Sequence, residues 1–443
     1  MKTITRSWCI LILLACQSAQ AKSPNLLLIL TDDQGWSQVS HQAHPGIPAS
    51  KSNYLETPNM SRIAREGMMF TRGYSPAPLC TPTRRSILCG ASAARSGTEF
   101  ASNYVPADHL TIPRALKRAD PNYMAAHFGK WGEKMISTPE ECGYDVSDGM
   151  TGNVTGGMAD KLKPYHLTRD PKRTESVTDR AIEFIRRQAE SGNPFYAQVS
   201  YYATHLRVEL NEDTLKKYQS KGEPDRAYTP GFAGMLEELD TAVGRMLDTL
   251  DELGLAGETY VVFTTDNGGR GVVPGGNKKS LPPNHPLKGA KHSLDEGGIR
   301  VPFYVRGPGI EPKTVNHTPV AGYDLLPTFY ELAGGSKPLP AEVDGGSLVA
   351  ILHGSAERGI QRGMDGLVFH RPKRLSSVLI RDEFKLMLKW DRAGQVSGAA
   401  LYNTLADPTE QRNLAAGLSN KTEELKSSLL GFLESVNAEP VPR

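Results

Sequence analysis

Two acidic pairs, one cysteine and a scatter of cations are the residues of this chain that could do chemistry. Asp32-Asp33 follows the apolar run Asn25 to Leu30, and Asp266-Asn267 follows Tyr260 to Phe263. An all-oxygen set of this kind suits a hard divalent cation, calcium before magnesium, rather than zinc, which prefers nitrogen or sulfur. A lone Asp-Asp is more often a turn or a helix cap. Two acidic pairs, each ending a buried strand, would be costly to bury without a cation. Cys80 lies in Pro78-Leu79-Cys80-Thr81-Pro82-Thr83-Arg84, where a loop runs into a helix around Ser86-Ile87-Leu88. Free N–H groups and the helix dipole favour an anion there, and Arg84 adds a bidentate donor. The same residue would also serve as a structural or disulfide cysteine. Lys130, His205 and Lys291 supply further positive or proton-donating groups. Each alone reads as a surface cation or a satisfied histidine. Beside a metal, together with Arg84, they describe a pocket for a tetrahedral oxyanion, holding charge as it develops on transferring oxygens.

The elements that must position these residues repeat one pattern. Asn25 to Leu30, Tyr123 to Phe128, Phe195 to Ser200 and Tyr260 to Phe263 are short apolar runs. They read as strands of a sheet covered on both faces. Between them, Pro58 to Glu66 (with Thr57 as N-cap and Gly67 as stop), Val177 to Ala189 and Phe232 to Leu253 have helical spacing. Strands alternating with helices imply a large, mostly parallel α/β sheet flanked by helices. Ligands of such sheets bind beyond the carboxyl ends of the strands. Asp32 and Asp33, Lys130, His205, and Asp266 with Asn267 all fall at that edge. Gly269 to Pro286, rich in Gly, Pro and Asn, predicts a surface loop over it. The texture changes near Gly345 to Gly354. Val378 to Ile380, Phe384 to Trp390 and Leu401-Tyr402 predict short strands, and Thr422 to Val436 a closing helix. Three segments follow: a signal peptide over 1–21, a catalytic α/β domain over 22–350, and a small α+β domain over 351–443 with a short antiparallel sheet and helix.

The N-terminus carries Lys2 and Arg6, then the apolar run Trp8 to Ala15, then Ala19-Gln20-Ala21. That is the layout of a secretory signal and is too short to span a bilayer. The expectation is export, to a periplasmic or extracellular space, with no transmembrane anchor. Leu13-Leu14-Ala15-Cys16 also resembles a lipobox, so lipid anchoring at Cys16 stands as an alternative. The formal charge of +2 falls to near zero once Lys2 and Arg6 are removed. This lack of basic surplus argues against nucleic acid as a partner. The mature chain retains Cys80, Cys89 and Cys142, an odd number. One thiol is therefore left over, whether or not Cys89 and Cys142 pair.

Five motifs follow one another along the chain: Leu30-Thr31-Asp32-Asp33-Gln34, Cys80-Thr81-Pro82-Thr83-Arg84, Gly129-Lys130-Trp131, Thr265-Asp266-Asn267-Gly268, and Gly289-Ala290-Lys291 with Glu296-Gly297-Gly298-Ile299-Arg300-Val301-Pro302. In this order they resemble the type I, formylglycine-dependent sulfatases of the alkaline phosphatase superfamily. C-x-P-x-R is weak by itself; the ordered set spans nearly the whole mature chain. The resemblance implies an alkaline-phosphatase-like fold and a sulfuric ester hydrolase acting on a sulfated small molecule or glycan. It implies that Cys80 is oxidised to formylglycine by a formylglycine-generating enzyme during maturation. It implies calcium bound by Asp32, Asp33, Asp266 and Asn267 together with residue 80. Arg84 and Lys130 would hold the modified side chain, while His205 and Lys291 would contact sulfate and assist the leaving oxygen. In that chemistry the aldehyde hydrates, one hydroxyl attacks sulfur and expels the alcohol, and the other collapses to the aldehyde, ejecting sulfate. The chain departs from the family pattern at Gly132, where a histidine usually serves the second step, with His127, Glu133 or His109 as substitutes. Proline more often flanks the position of His205, here within Ala203-Thr204-His205-Leu206. Two other readings are a phosphoester or phosphonate hydrolase of the superfamily, and a pseudoenzyme that binds sulfated glycans.

Overall fold

The computed structural model describes residues 22–157, 163–355 and 359–442. The expected signal peptide and Cys16 lie outside them. The first strand, β1 (Asn25–Thr31), is buried along its whole length. Its alternate residues enter different cores: Leu27 and Ile29 join one apolar cluster, Leu26, Leu28 and Leu30 the other. A strand that is apolar on both faces from Leu26 to Leu30 is thereby a strand covered by helices on both sides.

Helix α1 (Pro58–Glu66) starts on a proline and stops at Gly67, as its residue types predict. Thr57, expected as its N-cap, makes no capping bond. Its hydroxyl instead accepts the Ser40 N–H at 2.8 Å. The cap is supplied from far along the chain by Asp240, which accepts the N–H groups of Asn59 and Met60 at 2.9 and 2.8 Å. Strand β2 (Met68–Phe70) follows, then helix α2 (Cys80–Cys89), which begins at Cys80 itself rather than near Ser86. Next come β3 (Met124–Gly129), β4 (Val146–Ser147), α3 (Thr174–Ser191) and β5 (Phe195–Ser200). The long helix α4 (Pro230–Glu252) buries Leu236, Leu239, Val243, Met246, Leu247 and Leu250. Strands β6 (Thr259–Thr265), β7 (Tyr304–Arg306) and β8 (Thr314–Asn316) complete the sheet.

The eight strands lie in the order β8-β2-β7-β6-β1-β5-β3-β4, and only β7 runs against its neighbours. The register matters most at the centre. Thr31 pairs with Thr265, Leu30 with Ser200, and Ser200 with Gly129. Four adjacent parallel strands therefore end level, and whatever follows each of them meets at one place.

A separate small antiparallel sheet consists of β9 (Leu367–Arg371), β10 (Ser376–Arg381), β11 (Phe384–Trp390) and β12 (Val396–Asn403), covered by α5 (Ser419–Ser435). Its first strand was not expected from the sequence. It is fixed to the large sheet by a buried charge group: Lys385 reaches Glu296 at 3.0 Å, and Arg300 meets the other oxygen of Glu296 at 3.2 Å. Among the described residues no helix is long and apolar enough to cross a membrane.

Candidate active site

The level strand ends bring the acids together. Asp33 donates its backbone N–H to Asp266 Oδ1 at 3.2 Å, and Asp266 donates its own to Thr31 O at 3.1 Å. Asn267 Nδ2 donates to Asp33 Oδ1 at 2.8 Å. The loop after β5 is sewn to the same tip, with Asp32 N–H donating to Ala203 O at 2.9 Å and Thr204 N–H to Asp32 O at 2.6 Å. This places His205 Nε2 3.9 Å from Asp33 Oδ2.

Each acid has its own cation. Lys130, following the tip of β3, pairs with Asp32, and both side chains are fully buried. Gly129 makes that approach feasible: it sits at φ +90°, and a Cβ there would lie 2.1 Å from Ser200 O. Lys291 Nζ meets Asp33 Oδ1 at 2.5 Å. Arg84 closes on one oxygen of Asp266 through Nε at 3.0 Å and Nη2 at 2.7 Å, and donates Nη1 to Lys130 O at 2.5 Å. Burial pushes the Asp33 carboxyl up, but Lys291 and His205 override it and hold the group well below the usual carboxylate range. Asp32 is likewise held down by Lys130 against burial. Asp266 is pushed up to about 6 by burial and by the charge of Asp32, against the pull of Arg84.

Cys80 opens α2 with no exposure to solvent. Its loop is braced by Thr83, whose hydroxyl accepts the Ala77 N–H at 3.1 Å and donates to Ala77 O at 3.0 Å. Arg85 donates to the carbonyls of Gly97 and Phe100 at 2.9 and 2.8 Å. His292 N–H donates to Pro78 O at 2.9 Å, tying the Lys291 segment to the same loop. Burial raises the Cys80 thiol, with Lys130 and Lys291 pulling the other way. As a thiol it is protonated and a weak nucleophile. The three cysteines among the described residues, Cys80, Cys89 and Cys142, are free and buried, so Cys89 and Cys142 do not form a disulfide.

Among the described residues, Asp32, Asp33 and His205 are grouped closely enough to share a metal ion. The fit of a cation can be tested on unmet hydrogen-bonding capacity. Asp32 Oδ1, Asp33 Oδ2 and Asn267 Oδ1 are buried oxygens with no hydrogen-bond partner. Three orphan acceptors from adjacent strand ends are what a divalent cation would satisfy, and the donor set is that of calcium or magnesium. His205, which the family resemblance assigns to sulfate, adds a nitrogen beside these oxygens. Its Nδ1 lies 2.8 Å from the Leu206 carbonyl and so carries the proton, leaving Nε2 as the bare nitrogen of the neutral ring. Burial holds that ring neutral, down to about 4.

The three substitutes for a histidine at 132 fare differently. His127 is buried against Trp131 and Tyr144, with Nε2 3.2 Å from Ser200 Oγ, and burial holds it neutral, at about 3. His109 stacks on Tyr104 and faces Glu342 at 3.8 Å. Glu133 donates its backbone N–H to Thr81 Oγ1 at 3.0 Å, beside Cys80. Sequence reasoning missed Arg270, whose Nη1 lies 4.0 Å from Asp33 Oδ2. It also missed Lys172, buried within the field of Asp32 and Lys130 and lowered by burial to about 8. Arg270 could have been found as the first cation after Asn267-Gly268-Gly269; Lys172 carries no such signal.

A parallel sheet whose central strand ends gather carboxylates, cations and a helix-mouth thiol defines an enzyme that handles tetrahedral oxyanions. Comparison with known proteins makes the class specific. The family model described as Sulfatase matches residues 24–336, and the chain belongs to the sulfatase family, whose members are sulfuric ester hydrolases. A sulfatase of Formosa agariphila is 28% identical over 434 residues, covering 79% of this chain and 76% of that protein. The N-acetylgalactosamine-6-sulfatase of Homo sapiens is 28% identical over 371 residues, covering 76% and 67%. In three dimensions the chain is similar to Ps i-CgsB in a crystal structure with k-i-k-neocarrahexaose. The TM-score is 0.76 at 23% identity, with 93% of each chain covered, and the shared fold is the alkaline-phosphatase-like one.

Proposed function

We propose that this protein is an exported sulfatase that cleaves sulfate esters on a carbohydrate, with residue 80 as the nucleophile after conversion of Cys80 to formylglycine. The observation that carries this reading is the set of three orphan oxygens on Asp32, Asp33 and Asn267, beside a buried cysteine flanked by cations. Asp32, Asp33, Asp266 and Asn267 would hold calcium, which supplies positive charge against the sulfuryl oxygens when bound. Charge balance supports an anionic substrate. Asp32, Asp33 and Asp266 are offset by Lys130, Lys291 and Arg84, so a divalent cation leaves the site positive until an anion enters.

The other residues divide the work. Arg84 fixes Asp266 and the Lys130 carbonyl in one frame, and Lys130 sets Asp32, so both orient the surroundings of residue 80. Lys291 lies at the mouth, ready to exchange Asp33 for a sulfuryl oxygen. His205 can donate to the departing oxygen only in its doubly protonated form, which an anionic ester favours. Glu133 meets Thr81 only through its backbone N–H, and its carboxylate accepts the Asn153 N–H. Maturation would need a formylglycine-generating enzyme, and the catalytic unit would end near residue 350. Hydrolysis of 4-nitrophenyl sulfate and of 4-nitrophenyl phosphate by the same calcium-loaded preparation tests the assignment. Preference for sulfate is expected; preference for phosphate overturns it in favour of a phosphoester hydrolase.

A further inference from the structure

Beside Lys291 lies a cavity of about 410 Å³ between the 291–295 turn of the large domain and one face of the small sheet. Its walls include Lys291, His292, Arg374, Ser376, Met387 and Lys389. The small sheet builds its side deliberately. Ser376 pairs directly with Lys389 across β10 and β11, and Met387 sits two residues before Lys389, so all three share one face. Arg374 stands in the turn between β9 and β10. The cavity thus opens beside the residue at the mouth of the site and is closed by the small domain.

Its chemistry is that of an anion site with a sugar-sized floor. Arg374 and Lys389 are exposed, and among the described residues neither has a carboxylate in ion-pair range. Lys291 is committed to Asp33. Asp295, the one carboxylate in the wall, is offset by Lys288 at 3.2 Å and also accepts the Ser293 hydroxyl. Ser376 is 4% exposed, and its hydroxyl, buried in the wall, has no hydrogen-bond partner. A buried hydroxyl without a partner is costly unless a ligand completes it. His292 is kept neutral, at about 4, by burial and then by Lys291, Arg371 and Arg374, so it offers a neutral ring to sugar hydroxyls.

We propose that this cavity receives the part of the substrate that leaves with the ester oxygen, and that it selects carbohydrate carrying a second anionic group, bound by Arg374 and Lys389 with Ser376 donating to it. The assignment of the cavity as a leaving-group subsite rests on the sulfatase reading; the anion selectivity does not. The second anion is either a carboxylate or another sulfate, since both present oxygens to a guanidinium and an ammonium alike.

The test compares three substrates: a monosulfated disaccharide with no second charge, a monosulfated disaccharide with a uronate, and a disulfated disaccharide without one. For the wild-type protein, kcat/KM on one of the two doubly charged substrates should exceed the value for the singly charged one by about tenfold or more, and which one identifies the anion. In the R374Q/K389Q variant that ratio should fall about tenfold, mainly through KM, and its dependence on salt should flatten. A wild-type ratio near one, or a ratio unchanged in the variant, overturns the proposal. If no substrate releases sulfate, the sulfatase reading fails and calorimetric binding of the two doubly charged disaccharides decides the rest. Affinity about tenfold weaker in R374Q/K389Q, and reduced in S376A, sustains the anion site; equal affinities end it.

Discussion

Arg84 spends two of its nitrogens on a single oxygen of Asp266, at 2.7 and 3.0 Å, and the other oxygen of that carboxylate takes the Asp33 N–H at 3.2 Å. One guanidinium plane therefore sets the angle of the β6 tip against the β1 tip. A lysine has the charge but not the fork. The variant R84K should keep the fold and lose about a hundredfold in kcat/KM on 4-nitrophenyl sulfate, as misplacement of reacting groups does. Steady-state kinetics on R84K check this, and a loss of less than about threefold would show that the fork is dispensable.

Lys130 and Asp32 are both fully buried, so removing the cation strands a charge. The variant K130M should lose about 3–5 kcal/mol of stability, the range for breaking a buried pair from one side. Because a cation would neutralise Asp32 as well, calcium should restore part of the lost melting temperature. Thermal melts with and without calcium read both effects. An unchanged melting temperature in calcium-free buffer would mean that Asp32 has no need of Lys130.

Gly132 is held at φ +153°, and a Cβ there would meet Met135 Cγ at 2.9 Å and lie 3.6 Å from Thr81 Oγ1. Restoring the residue type usual in the family is thus not a simple repair. The variant G132H should be destabilised by about 1–2 kcal/mol through strained backbone and the displaced Met135, and its kcat should not exceed that of the wild type. A G132H protein with native stability and faster turnover would show that this position still suits a histidine.

Asp240 caps α1 from α4 and is 1% exposed. Burial pushes its carboxyl from an ordinary 3.8 up to about 6, against the pull of the Asn59 and Met60 N–H groups. A carboxyl raised on folding binds its proton more tightly in the native state. Its contribution to stability is therefore full below about pH 4 and is lost as pH rises through about 6, up to about 3 kcal/mol in all. D240N has no such proton. Denaturant melts from pH 4 to 7 should show the wild type losing stability relative to D240N as pH rises, and a difference independent of pH would contradict this.

Much of this architecture was legible because the central strands are short, mostly apolar runs, and three of them lead directly into Asp32, Lys130 or Asp266. Phe195–Ser200 and Phe384–Trp390 have the bounds their residues suggest. The strand Leu367–Arg371 escaped notice because His370 and Arg371 break its apolar run, although tertiary packing buries both. The α1 cap was misread for a related reason: local residue types point to Thr57, whereas the acceptor arrives from Asp240, 181 positions away. Asp32, Asp33, Asp266 and Asn267 were legible as a set because each follows a strand. That His205 reaches Asp33, and that Ser376 and Lys389 turn towards Lys291, depend on how loops and a second sheet are docked, which no local pattern encodes.

The central claim is that residue 80 acts as a modified side chain rather than as a thiol. Peptide mass spectrometry across Pro78 to Arg84, on protein from its native host, tests it most directly. Thiol-to-aldehyde conversion predicts a loss of about 18 Da relative to cysteine at that position. A preparation that hydrolyses sulfate esters while its Cys80 is entirely unmodified thiol would contradict the account.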